Sequence, residues 1–134
     1  MGAWGSDSFE NDNACDYAAE VADGRDLSRL EGTLDQVLRI GSDLLESPLA
    51  EEGLAAADIV ARLKGSFGQQ DAYTERVDQW ARQIKLSPSN NLVEKARRAV
   101  DRVLIEPCEL LELWSDGEDL ESWRTSVSQL LSRL

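Results

Sequence analysis

Residues 47–65, SPLAEEGLAAADIVARLKG, decide the fold that the sequence predicts. A serine followed by a proline typically starts an α-helix, because the hydroxyl caps the first free amides and proline fits the first helical position. Apolar residues then recur at three- and four-residue spacing, which predicts a helix that packs along one face. That face carries Leu49, Gly53, Ala56, Val60 and Leu63, and Gly65 ends the helix.

Helical patterns continue on both sides of this stretch. Asp26 can cap the helix before it, Gly41 ends that helix, and Ser87-Pro88 repeats the start signal further along the chain. No segment alternates polar and apolar residues, so we expect no sheet. We predict an all-α fold, one compact domain of six or seven short helices over residues 1–134. The other patterns cover residues 13–22, 27–37, 73–84, 88–103, 108–114 and 120–134.

The length and the cysteine content favour a cytoplasmic protein. A chain of 134 residues can bury a core without metal or disulfide staples. Because the sequence shows no secretory leader, we expect Cys15 and Cys108 to be reduced core thiols. No apolar run approaches the roughly 20 residues that a membrane span needs, so no membrane association is expected.

The net charge of −12 is unevenly distributed. Residues 1–60 hold 14 acids and 3 bases, residues 61–105 hold 5 acids and 9 bases, and residues 106–134 hold 7 acids and 2 bases. An acidic surface disfavours nucleic acid, because phosphate binding draws on Lys and Arg. It suits a basic protein partner, and a surface that serves solubility alone is the plainer interpretation.

The chain lacks the usual residues of catalysis. It contains no histidine, which excludes Ser-His-Asp and Cys-His nucleophiles and imidazole metal ligands. No glycine-rich phosphate loop follows a strand, and the two cysteines lack zinc spacing. We therefore expect no enzyme, and we assign no catalytic, cofactor-binding or metal-binding residues.

The opening stretch WGSDSFENDNACD, residues 4–16, predicts a clasp over residues 1–12 that leads into the first helix. Asn11, Asp12 or Asn13 can accept hydrogen bonds from the first free amides of that helix, and an acid suits its positive end. Phe9, just before the cap, is placed to pin the entering chain against the apolar side of the helix.

The rest of this clasp depends on Trp4. We expect its ring to fold over the end of the helix and its indole N–H to donate to Asp16, while Gly5 allows the tight turn between them. Calcium binding is the alternative, since the segment is rich in oxygen ligands, but the spacing is not that of the twelve-residue calcium loop. The candidate ligands are Asp7, Asn11, Asp12, Asn13 and Asp16.

Asp58 is a second candidate, because it lies among small residues that allow helices to approach closely. A buried acid requires a partner, and Arg97, Arg98 and Arg102 are the plausible source. A plain salt bridge or an exposed face is the simplest interpretation. Alternatively, these arginines form a small anion-binding patch with Lys95.

The opening motif resembles a family of small bacterial proteins, domain of unknown function 4259. The family N-terminus is similar to W-G-x-G-x-F-x-N-D-x-A-x-D, with Asp7 here in place of the commoner second glycine. Similar stretches continue in LAAADIVARLKG, in ARRAVDRVL and in the C-terminal helices. The resemblance implies a stand-alone bacterial domain and no particular activity. The matching residues are Trp4, Gly5, Phe9, Asn11, Asp12, Ala14 and Asp16.

These features lead to a functional hypothesis. We expect a non-enzymatic interaction factor, an acidic antidote, immunity-like or regulatory module that docks a basic protein through residues 1–60. One alternative is a small carboxylate-dependent or metal-dependent enzyme with a polar pocket containing Asp58 or the opening acids. Another is a self-associating structural domain with Trp114, Trp123 and the last helix as the contact.

Overall fold

The computed structural model describes residues 3–134, and it confirms the all-α prediction with seven helices and no strand in that range. Two isolated backbone bridges, between Ala3 and Asn11 and between Leu45 and Cys108, join loop segments. No helix in the described part of the chain is both long and apolar enough to cross a membrane. The helices are α1 (Asp12–Ala22), α2 (Ser28–Arg39), α3 (Ser47–Leu63), α4 (Glu75–Gln83), α5 (Asn90–Val103), α6 (Glu109–Ser115) and α7 (Leu120–Arg133).

Helix α3 is the centre of the fold, and all six other helices pack against it. Every residue from Gly53 to Arg62 is buried, so burial extends beyond the predicted face to all sides of the helix. The physical reason is the small size of the side chains, which lets neighbours approach from all sides. At Gly53 a Cβ atom would lie 2.9 Å from Cγ2 of Val37, so α2 could not pack this closely against a larger residue. The small buried residues are Ala50, Ala55, Ala56, Ala57 and Ala61.

The ends of α3 follow the predicted residues, but the first cap differs. Glu46 is the N-cap residue, and its side chain makes no capping bond. The Ser47 amide instead donates to Oε1 of Glu109 at 2.8 Å, so a carboxylate from α6 does the capping. This hydrogen bond holds the pKa of Glu109 below its usual value. At the other end Gly65 adopts a φ of +92°, where glycine is favoured.

Helix α5 starts two residues later than the Ser87-Pro88 signal predicts. Ser89 is the cap, and its hydroxyl accepts from the amide of Leu92 at 3.1 Å. The proline therefore lies before the helix instead of in its first turn. The turn after α2 is as predicted, with Gly41 at a φ of +59°.

The C-terminal helices close the core with aromatic packing. The rings of Trp114 and Trp123 stack nearly parallel, with centroids 6.1 Å apart, and both side chains are buried. Neither ring is thus an exposed surface for self-association. Cys108 is buried and Cys15 is half-buried, and both are free thiols whose pKa values burial raises.

Candidate functional site

The N-terminal clasp is a compact turn fastened to α1. Asn11 caps the helix, with its Oδ1 accepting from the Ala14 amide at 2.8 Å, and Phe9 is fully buried in the core. The amide of Trp4 donates to the carbonyl of Glu10 at 2.9 Å and closes the turn. A Cβ atom on Gly5 would lie 2.2 Å from Oε2 of Glu10, so a side chain at this position would displace the Glu10 carboxylate.

Trp4 does not take the position that the sequence predicts. Its side chain is 45% exposed and its ring packs against Tyr73, with centroids 5.1 Å apart. Asp16 lies exposed on α1, and no hydrogen bond joins it to the indole in residues 3–134. Because the indole is open to solvent, it needs no protein acceptor.

Polar side chains of the opening segment form hydrogen bonds with other helices of the fold. Oδ1 of Asp7 accepts from the Ser126 hydroxyl at 2.9 Å, and Nδ2 of Asn13 donates to the carbonyl of Pro48 at 2.9 Å. Within the described part of the chain, no three acidic or cysteine side chains converge on a point where they could share a metal ion. These residues fasten the clasp to α3 and α7.

A buried ionic network joins α3, α4 and α7. Nε of Arg62 lies 2.7 Å from Oδ1 of Asp78, and the same guanidinium bonds to Asp58 one turn earlier on α3. The other oxygen of Asp58 accepts from Arg133 at 2.8 Å. The Thr74 hydroxyl donates to Asp78 at 2.8 Å, so each carboxylate has two partners.

The partners of Asp58 are therefore Arg62 and Arg133, and the prediction of Arg97, Arg98 or Arg102 is wrong. The reason is geometric: Arg62 is one helical turn away on α3, on the side that faces α4 and α7. The Arg62 guanidinium also lies 4.9 Å from the centre of the Phe9 ring. The network thus links the clasp to the centre of the fold.

The arginines of α5 do not form one anion-binding patch. Lys95 is held by Asp35 at 3.0 Å, and Arg97 lies 3.7 Å from Glu94. Arg98 is exposed, whereas Arg102 is buried and binds the loop after α2 and the loop after α5. Its guanidinium donates to the backbone carbonyls of Gly41, Asp43, Ile105 and Pro107.

A small polar cleft of about 120 Å³ lies beside the network and is lined partly by Asp58, Asp7 and Arg133. The enzyme alternative predicts a polar pocket containing Asp58 or the opening acids, and this cleft contains Asp58 and Asp7. Both oxygens of Asp58 are already bonded, and no buried side-chain nitrogen or oxygen in the described chain lacks a partner. The charged groups of the cleft are committed to the fold.

The acidic residues form a more extensive feature. On α1, Asp12, Asp16 and Glu20 are exposed at four-residue spacing, which places them on one side of the helix. Glu20 pairs with Arg29, while Asp12 and Asp16 form no ion pair in residues 3–134.

The acids at the start of α3 continue this surface. Burial raises the pKa of Glu51, and the neighbouring charge of Glu52 raises it further. Burial raises the pKa of Tyr17 to about 12, and the charges of Glu52 and Glu20 act in the same direction. Glu20 of α1 and Glu52 of α3 therefore both act on Tyr17, and the hydrogen bond from Asn13 to the carbonyl of Pro48 holds the starts of the two helices together.

The fold adds a second acidic segment that sequence reasoning treated separately. The Glu109 amide donates to the carbonyl of Leu45 at 2.8 Å, which places the start of α6 beside the start of α3. Partial desolvation raises the pKa of Glu112, and the nearby carboxylates of Glu106 and Glu109 raise it further. We name the combined set the acidic surface: Asp12, Asp16, Glu20, Glu46, Glu51, Glu52, Glu106, Glu109 and Glu112.

A comparison with protein-family models identifies the family of the chain. The model of the family described as "Domain of unknown function (DUF4259)" matches residues 2–126, so the chain belongs to that family. No curated protein and no solved structure matches the chain.

Proposed function

We propose that this member of the DUF4259 family is a non-enzymatic interaction factor that docks a basic protein through the acidic surface. In its most concrete form it is an antidote, immunity-like or regulatory module of the bacterial cytoplasm. The observation that carries the proposal is the lack of internal partners: Asp12, Asp16, Glu46 and Glu52 form no ion pair among residues 3–134. Such carboxylates are available to an external cation.

Their arrangement favours a macromolecular partner. Carboxylates from α1, α3 and α6 spread the negative charge over a broad surface, whereas the buried acids are neutralised by arginines. Complementary charge of this kind speeds association and makes affinity depend on salt. The screening length falls from about 10 Å at 0.1 M salt to about 3 Å at 1 M, so a charge-driven complex weakens over that range.

The experiment is a capture from a lysate of the source cells with the purified protein as bait. The wild-type bait should retain a basic protein at low salt and lose it at high salt. The double variant Asp12→Lys/Asp16→Lys should lose it at low salt as well. The matched control is Glu75→Lys/Asp101→Lys, which makes the same change in net charge at exposed positions on α4 and α5.

Two outcomes would contradict the proposal. Capture that is equal for both double variants would show that the acids of α1 are not the contact. Retention that is unchanged by salt would show that charge does not drive binding. Circular dichroism of each variant confirms that the compared baits are folded.

The Asp58 cleft favours a second candidate, a small carboxylate-dependent enzyme. Its support is weaker, because a bonded carboxylate must first release Arg62 or Arg133 before it can hold a substrate or move a proton. A thermal-shift screen of small metabolites and divalent cations distinguishes the two. A ligand that stabilises the wild type but not Asp58→Asn would favour the enzyme.

A further inference from the structure

An apolar groove lies at the edge of the acidic surface, between the end of α2 and the start of α3. It has a volume of about 340 Å³. Leu44 projects into this region with 47% of its surface exposed, while the next residue, Leu45, is fully buried. The groove is lined by Gln36, Ile40, Leu44, Pro48 and Leu49, with Glu46 and Glu52 as its acidic members.

The backbone around Leu44 is firmly held. Arg102 donates at 2.7 Å to the carbonyl of Asp43, the residue before Leu44, and at 2.9 Å to the carbonyl of Gly41 at the end of α2. Immediately after Leu44, the Leu45 amide donates to the carbonyl of Pro107 at 3.1 Å. The exposure of Leu44 therefore belongs to an ordered segment, and a preformed site loses little conformational freedom on binding.

The charged residues of the groove indicate which kind of segment binds there. Glu46 and Glu52 carry negative charge beside the apolar lining, and the lining contains no lysine or arginine. A leucine or isoleucine side chain flanked by Lys or Arg complements both features. An acidic segment would be repelled by the two carboxylates.

We propose, on the basis of the proposed function, that this groove receives the apolar face of a basic amphipathic helix from the partner protein. The helix places an aliphatic side chain against Leu44 and Ile40, and its Lys or Arg residues contact Glu46 and Glu52. Helix-in-groove docking uses this combination of aliphatic anchors on one face and charges beside them. The acidic surface steers the partner, and the groove sets the register of the complex.

The test uses a defined probe, a fluorescein-labelled 14-residue peptide with leucines at helical spacing on one face and lysines elsewhere. Fluorescence anisotropy at 0.15 M salt should show binding to the wild type. Leu44→Ser should weaken it about tenfold, the effect typical of losing one anchor. The matched control Leu86→Ser removes a leucine of similar exposure, 41%, between α4 and α5, and should leave affinity within about twofold.

Peptide controls separate the groove from general charge attraction. A peptide of the same composition with leucines scattered around the helix should bind more weakly than the probe, and a glutamate-for-lysine version should not bind. Equal affinity of Leu44→Ser and Leu86→Ser for the probe would overturn the assignment of the groove. Light scattering that shows a wild-type dimer and a Leu44→Ser monomer would also overturn it, because the occupant would then be a second copy of this chain.

Failure of the groove is distinguishable from failure of the proposed function. If Asp12→Lys/Asp16→Lys abolishes capture of the basic protein while Leu44→Ser leaves it intact, the acidic surface binds and the groove assignment is wrong. If neither variant changes capture, both proposals are wrong.

Discussion

Arg62→Met is the substitution that tests the physical basis of the fold most severely. The guanidinium is buried and bonds to Asp58, to Asp78 and to the backbone carbonyl of Gln69. Methionine fills much of the same volume but carries no charge. It would therefore leave two buried carboxylates without their shared cation.

The expected cost follows from what remains after the substitution. Asp58 keeps Arg133, and Asp78 keeps the Thr74 hydroxyl, so neither carboxylate is completely unpaired. Breaking a buried ion pair by removing one partner costs about 3–5 kcal/mol. The total stability of a domain is about 5–15 kcal/mol, so Arg62→Met should remove a large fraction of it.

The assay is urea denaturation at pH 7, followed by tryptophan fluorescence and by circular dichroism. The matched control is Arg29→Met, which breaks the surface ion pair with Glu20. The side chains of Arg29 and Glu20 are 51% and 59% exposed, respectively. That pair should contribute less than about 1 kcal/mol. The double variant Arg62→Met/Asp78→Asn should recover part of the lost stability, because it also removes the carboxylate whose ion pair was with Arg62, while Asp58 keeps its ion pair with Arg133.

Equal, small losses in the free energy of unfolding for Arg62→Met and Arg29→Met would contradict the expected cost of breaking the buried network. A double variant less stable than Arg62→Met alone would also contradict it, because the cost would then not arise from the uncompensated Asp78 carboxylate.

Three further substitutions test the helix caps and α2. Asn11→Ala should lower the free energy of unfolding by about 1 kcal/mol because it removes the cap of α1, and thermal denaturation should show a smaller effect for the exposed Asp16→Ala; equal losses would contradict the cap. Gly32→Ala should stabilise the protein by about 1 kcal/mol, since the position lies inside α2 with open space for a Cβ atom; urea denaturation would disprove this by showing a loss. Glu109→Gln should lower the melting temperature at pH 7, because the folded protein holds the pKa of Glu109 below its ordinary value of 4.5. The charged carboxylate therefore stabilises the fold at pH values above 4.5, and this stabilisation is lost as the pH falls through the pKa of the folded state. A difference between Glu109→Gln and wild type that persists unchanged at low pH would contradict that reasoning.

The helices of this chain were predictable because local spacing and turn chemistry determine them. The apolar stripe of α7 and the glycines that follow α2 and α3 determine the conformation of only the few residues around them. The cap of α3 was not predictable in this way. Its acceptor, Glu109, lies 62 residues after Ser47, so no pattern in the sequence near Ser47 indicates this hydrogen bond.

The partners of Asp58 illustrate a different limit. Arg62 stands four residues later, and this spacing alone could have suggested the pair. Arg133 reaches the same carboxylate only because α7 packs against α3. Trp4 was expected inside the clasp, but the indole can remain at the surface when Tyr73 covers one side of the ring.

The charge distribution of the candidate surface was only half visible in the sequence. The excess of acids in residues 1–60 is evident from counting. The backbone bridge between Leu45 and Cys108, which are distant in sequence, brings the start of α3 next to the acids of α6. Counting charges along a chain cannot show which of them share a surface.

The decisive measurement for the role of the acidic surface is the affinity of the captured basic protein for the wild-type chain from low to high salt. A steep loss of affinity is expected as salt rises, because the carboxylates of the acidic surface attract the partner. An affinity that stays constant across that range would contradict this expectation and would show that the acidic surface is not what binds.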